Sequence, residues 1–198
     1  MMQVPPPSRV AKDSVVFRDG SEVQADTLIL CTGYHYHFPF LDLAQLGLQK
    51  TDYGVGPLYR HLLPPHHPSL FLVGLCQQIC PFPHFHCQVL FALAVLSGRC
   101  PLPSAAEMEA EAQAQLDRYL KSGGLSRYFL RLKEQQWSYA KELACLAGFP
   151  PLPPAIQEIH DAARANRALD VSTYRGRNYR LLGPNAWEVV QDSCEDQA

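Results

Sequence analysis

The stretch Val15 to Tyr34, VVFRDGSEVQADTLILCTGY, narrows the possible folds more than any other part of the chain. Asp19-Gly20 supplies the positive backbone dihedrals of a tight turn, which predicts a hairpin between Ser14–Phe17 and the residues around Glu22-Val23. Asp26 then leads into Leu28-Ile29-Leu30, an apolar run without alternation. A run of that kind fits a strand from Leu28 to Thr32 covered on both faces, as in α/β sheets. It stops at Thr32-Gly33-Tyr34, where a glycine lets the backbone come close to a neighbour.

Leu70 to Val73, bounded by Pro68-Ser69 and Gly74, predicts a second short strand of the same kind. The intervening segment from His35 to Pro68 is rich in Pro, His and aromatics and predicts ordered loop. Beyond Gly74 the pattern turns helical. Gln88 to Ser97 is an apolar helix expected to be buried and to end at Gly98. Ser104 and Glu107 form an S-x-x-E capping box that opens a helix running to Ser122. Its stripe of Met108, Ala112, Leu116, Tyr119 and Leu120 should face the core. Further helices are expected over Leu130 to Ala147, closed by Gly148, and over Ala155 to Ala165.

Composition excludes several classes. A net charge of -2 and no block of like charge give nucleic acid no reason to bind. The longest unbroken apolar run, Val89 to Leu96, is too short for a membrane span, and no membrane anchor is expected. Seven cysteines, an odd number at irregular spacing without a signal peptide, predict reduced thiols and a cytoplasmic location. Seventeen prolines cluster in connections such as Pro5-Pro6-Pro7 and Pro150 to Pro154, as stiff loops do.

The ordered segments TGYHYHFPFLD, YGVGPLYRHLLPPHHPSLFLVGL, CPFPHFHCQVLFALAVLSGRCPLPSAAEM and, later, YRLLGPNAW, following the hairpin and strand, resemble the C-terminal portion of flavin-containing monooxygenases. The resemblance is close over residues 14 to 110 and looser beyond. It implies an α/β chain, the C-terminal part of a two-domain Rossmann-like FAD/NAD(P)-binding flavoprotein fold, with a mainly helical C-terminal region. Residues 1–34 would end the NADPH-binding domain, 35–103 would return to the FAD-binding domain, and 104–198 would form the helical region. It also implies FAD and NADPH as cofactors, with one oxygen atom of O2 passed to a small-molecule nitrogen or sulfur nucleophile. The cofactor carries that chemistry, so no catalytic side chain is expected.

Onto this family pattern Thr32, Gly33 and Tyr34 map as the linker beside the cofactors, Gly74 as the point where the returning chain passes the flavin, and Gln88 as the residue opening the next helix. Neither G-x-G-x-x-G phosphate turn of the family occurs in the sequence. Gly54-Val55-Gly56-Pro57-Leu58-Tyr59 comes nearest, with Tyr59 at the third glycine position. The expected partner is therefore the missing N-terminal half or a full-length relative.

Plainer readings stand beside these. Gly33 and Gly74 also suit ordinary strand ends, Gln88 an ordinary helix start, and the alternating Tyr34, Tyr36, Phe38 and Phe40 loop packing. A non-catalytic interaction protein is the alternative function. A zinc module built on Cys76, Cys80, His84, His86 and Cys87 is a weaker one, because that spacing matches no standard finger. Arg175, Arg177 and Arg180 suit a solvated turn better than a phosphate site. The strand Leu28 to Thr32, with unpaired edges, predicts marginal stability for the chain alone.

Overall fold

The structure, a computed structural model, describes residues 4–190. Cys194 and the acidic end of the chain lie outside the described residues. The chain divides into two units, Met1–Tyr36 and His37–Ala198. This boundary lies two residues beyond the one expected at residue 34.

The first unit is a three-stranded antiparallel meander of β1 (Pro7–Val10), β2 (Ser14–Phe17) and β3 (Glu22–Gln24) in the order β1-β2-β3. The predicted hairpin is present, with Val15 opposite Val23 and Val16 opposite Glu22. Its turn is held by the Ser21 N–H donating to Asp19 Oδ1 at 3.0 Å, and Gly20 takes a φ of 84° that a Cβ would disfavour. The proline-led start was expected to be loop, yet it adds β1 at the sheet edge. Pro7 has no N–H to pair, and an edge position tolerates that.

Leu28 to Thr32 is not a strand. A strand exists only through its ladder, and no strand among the described residues pairs with this segment. Leu28, Ile29 and Leu30 are left 54%, 78% and 75% exposed.

The second unit begins with a hairpin that the sequence hid inside its presumed loop, β4 (Gln49–Thr51) against β5 (Gly54–Gly56). The glycine string nearest to a phosphate turn is thus a buried strand and opens no helix. A Cβ on Gly56 would sit 2.6 Å from the Tyr53 hydroxyl, so packing demands glycine there.

Leu70 to Val73 forms no ladder either. Its backbone is anchored by the Leu72 N–H donating to the Leu62 carbonyl at 2.7 Å and by the Leu70 N–H donating to the His67 carbonyl at 3.0 Å.

Helix α1 spans Pro81–Leu96, starting seven residues before the expected Gln88. Proline at the first position lacks an N–H that the helix could not have bonded, and its fixed φ suits that place. The Cys80 N–H just ahead is taken by the side-chain carbonyl of Gln136. Helix α2 (Ala105–Lys121) has the expected capping box, with the Ser104 N–H donating to Glu107 Oε2 (2.9 Å) and the Glu107 N–H to Ser104 Oγ (3.3 Å). Of its predicted stripe, Met108 and Ala112 are buried, whereas Leu120 is exposed.

Helix α3 (Gln135–Ala147) starts five residues later than expected. Leu130 to Leu132 instead bond alongside Gln77, with the Gln77 N–H donating to Leu130 O and the Leu132 N–H to Gln77 O. Gly148 closes α3 in the left-handed conformation at a φ of 67°. Helix α4 spans Pro154–Leu169.

The C-terminal region is less helical than expected, because YRLLGPNAW turns over in a hairpin of β6 (Asn178–Gly183) and β7 (Ala186–Val190). Trp187 Nε1 donating to Glu158 (2.9 Å) and the Ala155 N–H donating to the Pro184 carbonyl (3.1 Å) fasten that hairpin to α4.

The core lies where α1 meets α3. Cys87, Phe91 and Ala94 of α1 pack with Tyr139, Ala140 and Leu143 of α3, over Tyr59, Leu62 and Leu63 from the preceding loop.

Candidate functional site

Gly74 follows the anchored Leu72 and adopts a φ of 93°, a backbone that side chains resist. The Gly74 N–H donates to Gln88 Oε1 at 3.1 Å. Gln88, placed by the longer α1 in mid-helix and not at its start, is completely buried. Its amide nitrogen donates to the Tyr139 hydroxyl at 3.0 Å, with Cys76 Sγ at 3.9 Å beside it. The Tyr139 hydroxyl donates in turn to the Arg60 carbonyl at 2.8 Å. A continuous relay, buried at Gln88 and Tyr139, therefore joins Gly74, α1, α3 and the Arg60 turn.

The relay is also pinned from outside. The Arg60 guanidinium pairs with Glu111 of α2 at 2.8 Å and with Glu142 of α3. Arg60 and its neighbour His61 both hold a φ of 53°, rare for residues with side chains. His61 lies within 2.9 Å of the Gln115 side-chain nitrogen through Nε2. That amide nitrogen can only donate, so His61 Nε2 accepts and the imidazole is neutral.

The electrostatics are those of a dry interior. Burial holds His61 down to about 4, helped by nearby His84 and Arg60. Burial does the same to His84, also to about 4. Both His84 ring nitrogens are buried without a hydrogen-bond partner among the described residues, and the ring stacks on Tyr139 at 4.9 Å and 16°. Burial, with Cys76 adding to it, raises the Tyr139 hydroxyl well above its ordinary value, so it stays a donor. Cys76 is pushed up to about 12 by burial. A thiol and a phenol held protonated are poor nucleophiles at neutral pH, and imidazoles held near 4 are weak bases. The arrangement positions backbone.

The structure brings Gly74 and Gln88 together. Thr32, Gly33 and Tyr34 belong to the first unit, where Gly33 has a φ of 84° with open space around its Cα and Tyr34 is fully exposed. Gln88 spends both ends of its amide inside the protein, which leaves Gly74 as the group its side chain orients. Two clefts of about 520 and 470 Å³ lie elsewhere. One is lined by Gln78, Lys133, His160 and Arg164, the other by Thr51, Asp52, His61 and Gln113.

Arg60, His61, Gln136 and Tyr139 were not singled out by the sequence. The available signal was the spacing of Gln136, Tyr139, Ala140, Leu143 and Ala147, one buried face of α3.

Four of the five residues of the zinc reading have other places in the structure, and His86 is exposed on α1. Cys76 and Cys87 are core, His84 stacks on Tyr139, and the Cys80 backbone begins α1. Among the described residues no group of three or more His, Cys, Asp or Glu is placed to hold a metal. Of the basic turn, Arg177 donates to Asn166 (2.7 Å) and Arg180 pairs with Glu188 (2.8 Å). No helix among the described residues is long and apolar enough to cross a membrane.

Comparison with known proteins is consistent in direction. A protein-family model described as "Flavin-binding monooxygenase-like" matches residues 5–196. "Flavin-containing monooxygenase FMO GS-OX-like 2" of Arabidopsis thaliana is 45% identical over 139 residues, covering 69% of this chain and 30% of that protein. The solved S-allyl-L-cysteine S-oxygenase of Allium sativum superposes with a TM-score of 0.76 at 36% identity, over 82% of this chain and 37% of that one. Tmm from Pelagibacter sp. strain HTCC7211 gives 0.70 at 26% identity, over 93% and 41%. The chain thus spans about a third of the length of the curated relatives it matches.

Proposed function

Because the chain belongs to the flavin-binding monooxygenase-like family, we propose that it supplies one part of a flavin-dependent monooxygenase that uses NADPH and O2 to oxygenate a soft sulfur or nitrogen centre. The observation that carries this reading is the likeness to the Allium sativum S-oxygenase across most of the chain. A thioether is accordingly the first substrate class to test.

In this reading Gly33 and Gly74 let backbone lie along FAD and the nicotinamide, with Thr32 and Tyr34 flanking the first of them. Gln88 is a positioning residue, holding the Gly74 N–H in a fixed direction. When bound, the flavin supplies the oxygen-activating chemistry. The chain's own residues orient backbone, for which the relay through buried Gln88 and Tyr139 is suited. The phosphate turns that grip both dinucleotides come from the part of the family fold outside this chain, and the assembled enzyme works in the cytosol.

A second reading, a non-catalytic interaction protein, is favoured by one observation, the lack of either G-x-G-x-x-G turn in the sequence. The test is a flavin absorbance spectrum of the purified chain after incubation with FAD and removal of free cofactor. Repeating it with the rest of a relative's chain present, and then following NADPH oxidation with a thioether, completes the experiment. The monooxygenase reading expects little flavin on the chain alone, and retained flavin with thioether-dependent NADPH oxidation once the remainder is supplied. A combined sample with neither property sinks that reading and leaves the interaction protein.

A further inference from the structure

Four residues other than glycine hold a positive φ among the described residues. Arg60 and His61 belong to the relay. The other two, Gln78 at 53° and Lys133 at 50°, both line the cleft of about 520 Å³. Two backbone bonds bring their turns together, one from the Gln77 N–H to Leu130 O and one from the Leu132 N–H to Gln77 O. Residues with side chains stay in that backbone only where their surroundings impose it, and such places concentrate at binding sites.

The chemistry of the lining is one-sided. Lys133, Arg164 and Arg167 stand along the cleft with His160, and no Asp or Glu lines it. Arg164 is engaged by Glu134. Lys133 and Arg167 have no carboxylate partner among the described residues, and Arg167 lies over the Tyr174 ring at 5.8 Å instead. Gln136 lines the same cleft and is only 3% exposed. Its Oε1 accepts the Cys80 N–H, which leaves Nε2 to donate, and no acceptor for it stands among the described residues. A donor in so buried a side chain is costly to leave unmade. Ile79, Ala163 and the Tyr174 ring complete the wall with apolar surface.

We infer that this cleft binds the carboxylate of a small organic anion, and that this anion is the thioether to be oxygenated. The first clause stands on the cleft alone, and the second rests on the functional reading above. Two unpaired cations beside a fixed amide donor call for an acceptor that carries negative charge. The apolar wall asks for a short hydrocarbon body next to that charge, which an inorganic anion lacks. The cleft is also built on the returning segment. Gln78 follows Gly74 by four residues, and Gln136 holds the backbone that opens α1. A substrate anchored here by its carboxylate lies along the stretch that the functional reading sets beside the flavin.

The experiment titrates the purified 198-residue chain with methylthioacetate, with its neutral isostere methylthioacetamide, and with inorganic phosphate, following heat and backbone amide NMR shifts. Methylthioacetate should bind roughly tenfold more tightly than the amide or phosphate, with shifts centred on Gln78, Gln136 and Ala163. Lys133→Gln plus Arg167→Gln should lower that affinity roughly tenfold, and Arg167→Lys should lower it less. Both side chains are exposed, so the double variant should keep the circular dichroism of the parent. Methylthioacetate should raise the melting temperature of the parent and not that of the double variant. The comparison of acid with amide on the parent decides the matter even if the double variant folds poorly.

Equal binding of acid and amide overturns the inference, as does acid binding that ignores the two substitutions. Phosphate bound as tightly as the acid would make the cleft an unselective basic patch and also overturn it. NADP+ that displaces methylthioacetate and depends on the same two cations would assign the cleft to the cofactor's phosphates, with the same consequence. Flavin separates the two claims. A chain that binds methylthioacetate through Lys133 and Arg167, but retains no flavin when the rest of a relative's chain is supplied, fails the functional reading and leaves the anion site standing. A yellow assembled enzyme that oxidises NADPH equally fast with acid and amide does the reverse.

Discussion

The Gln88 amide and the Tyr139 hydroxyl meet at 3.0 Å in the seam between α1 and α3, where both side chains are buried. Each has a second commitment, Gln88 to the Gly74 N–H and Tyr139 to the Arg60 carbonyl. Remove either side chain and the partner left behind is a buried polar group without water to replace its bond.

Gln88→Ala should therefore destabilise the chain by about 2–4 kcal/mol, combining the lost bond to the buried Tyr139 hydroxyl with the cavity left by the side chain. Tyr139→Phe keeps the ring against His84 and loses only the hydroxyl, so about 1–2 kcal/mol is expected. The double variant should fall short of the sum, because each single change already breaks the shared bond. Urea unfolding of the four proteins measures all three values, and full additivity would contradict a shared relay.

Acid should loosen this core before it affects the rest. His61 and His84 are both held near 4 by burial, below the ordinary imidazole value of 6.5. The unfolded chain thus binds more protons than the folded one between those values, and stability rises with pH across that window. It is fully present above about 6.5 and declines as pH falls toward 4. Between pH 7 and 5 the loss comes to about 2 kcal/mol for each imidazole as an upper figure, from ~1.4 kcal/mol per pH unit. Denaturation midpoints at pH 7 and 5 would register it. His61→Gln should flatten the slope, and an unchanged slope would remove His61 from the account.

Much of this organisation was legible in the chain, and the misses have a common cause. The Asp19-Gly20 turn, the Ser104/Glu107 cap and the Gly148 stop are local devices, set by residues within a few positions of each other. They appear where the sequence put them. Leu28 to Thr32 and Leu70 to Val73 had the composition of buried strands, but a strand needs a neighbour, and composition does not provide one. Gln88 was legible as a residue of interest. Its partners Tyr139 and Gly74 stand 51 and 14 residues away, and nothing local announced that one amide would join them.

Thiol reactivity separates the cysteines by their surroundings. Cys31 and Cys145 are exposed, whereas Cys76 and Cys87 are core, with burial pushing Cys76 up to about 12 and raising Cys87. Thiolate is the reactive species, so alkylation of the native chain at pH 8 should mark Cys31 and Cys145 within minutes. Cys76 and Cys87 should be marked only after denaturant is added. Peptide mapping by mass spectrometry reads this directly, and rapid native labelling of Cys76 would mean that the α1–α3 seam opens freely.

Exposed apolar residues in the first unit invite a substitution that improves behaviour without touching stability. Ile29 is 78% exposed between two apolar neighbours that are exposed as well. Surface changes of this kind usually stay within about 0.5 kcal/mol. Three successive exposed apolar residues outside any ladder, however, offer a stretch on which another chain can pair. Ile29→Lys places a charge in the middle of that run and should raise the concentration at which the chain begins to scatter light, while its melting temperature holds. A fall of several degrees would mean that Ile29 is covered in the folded chain, and that the segment finds a strand neighbour after all.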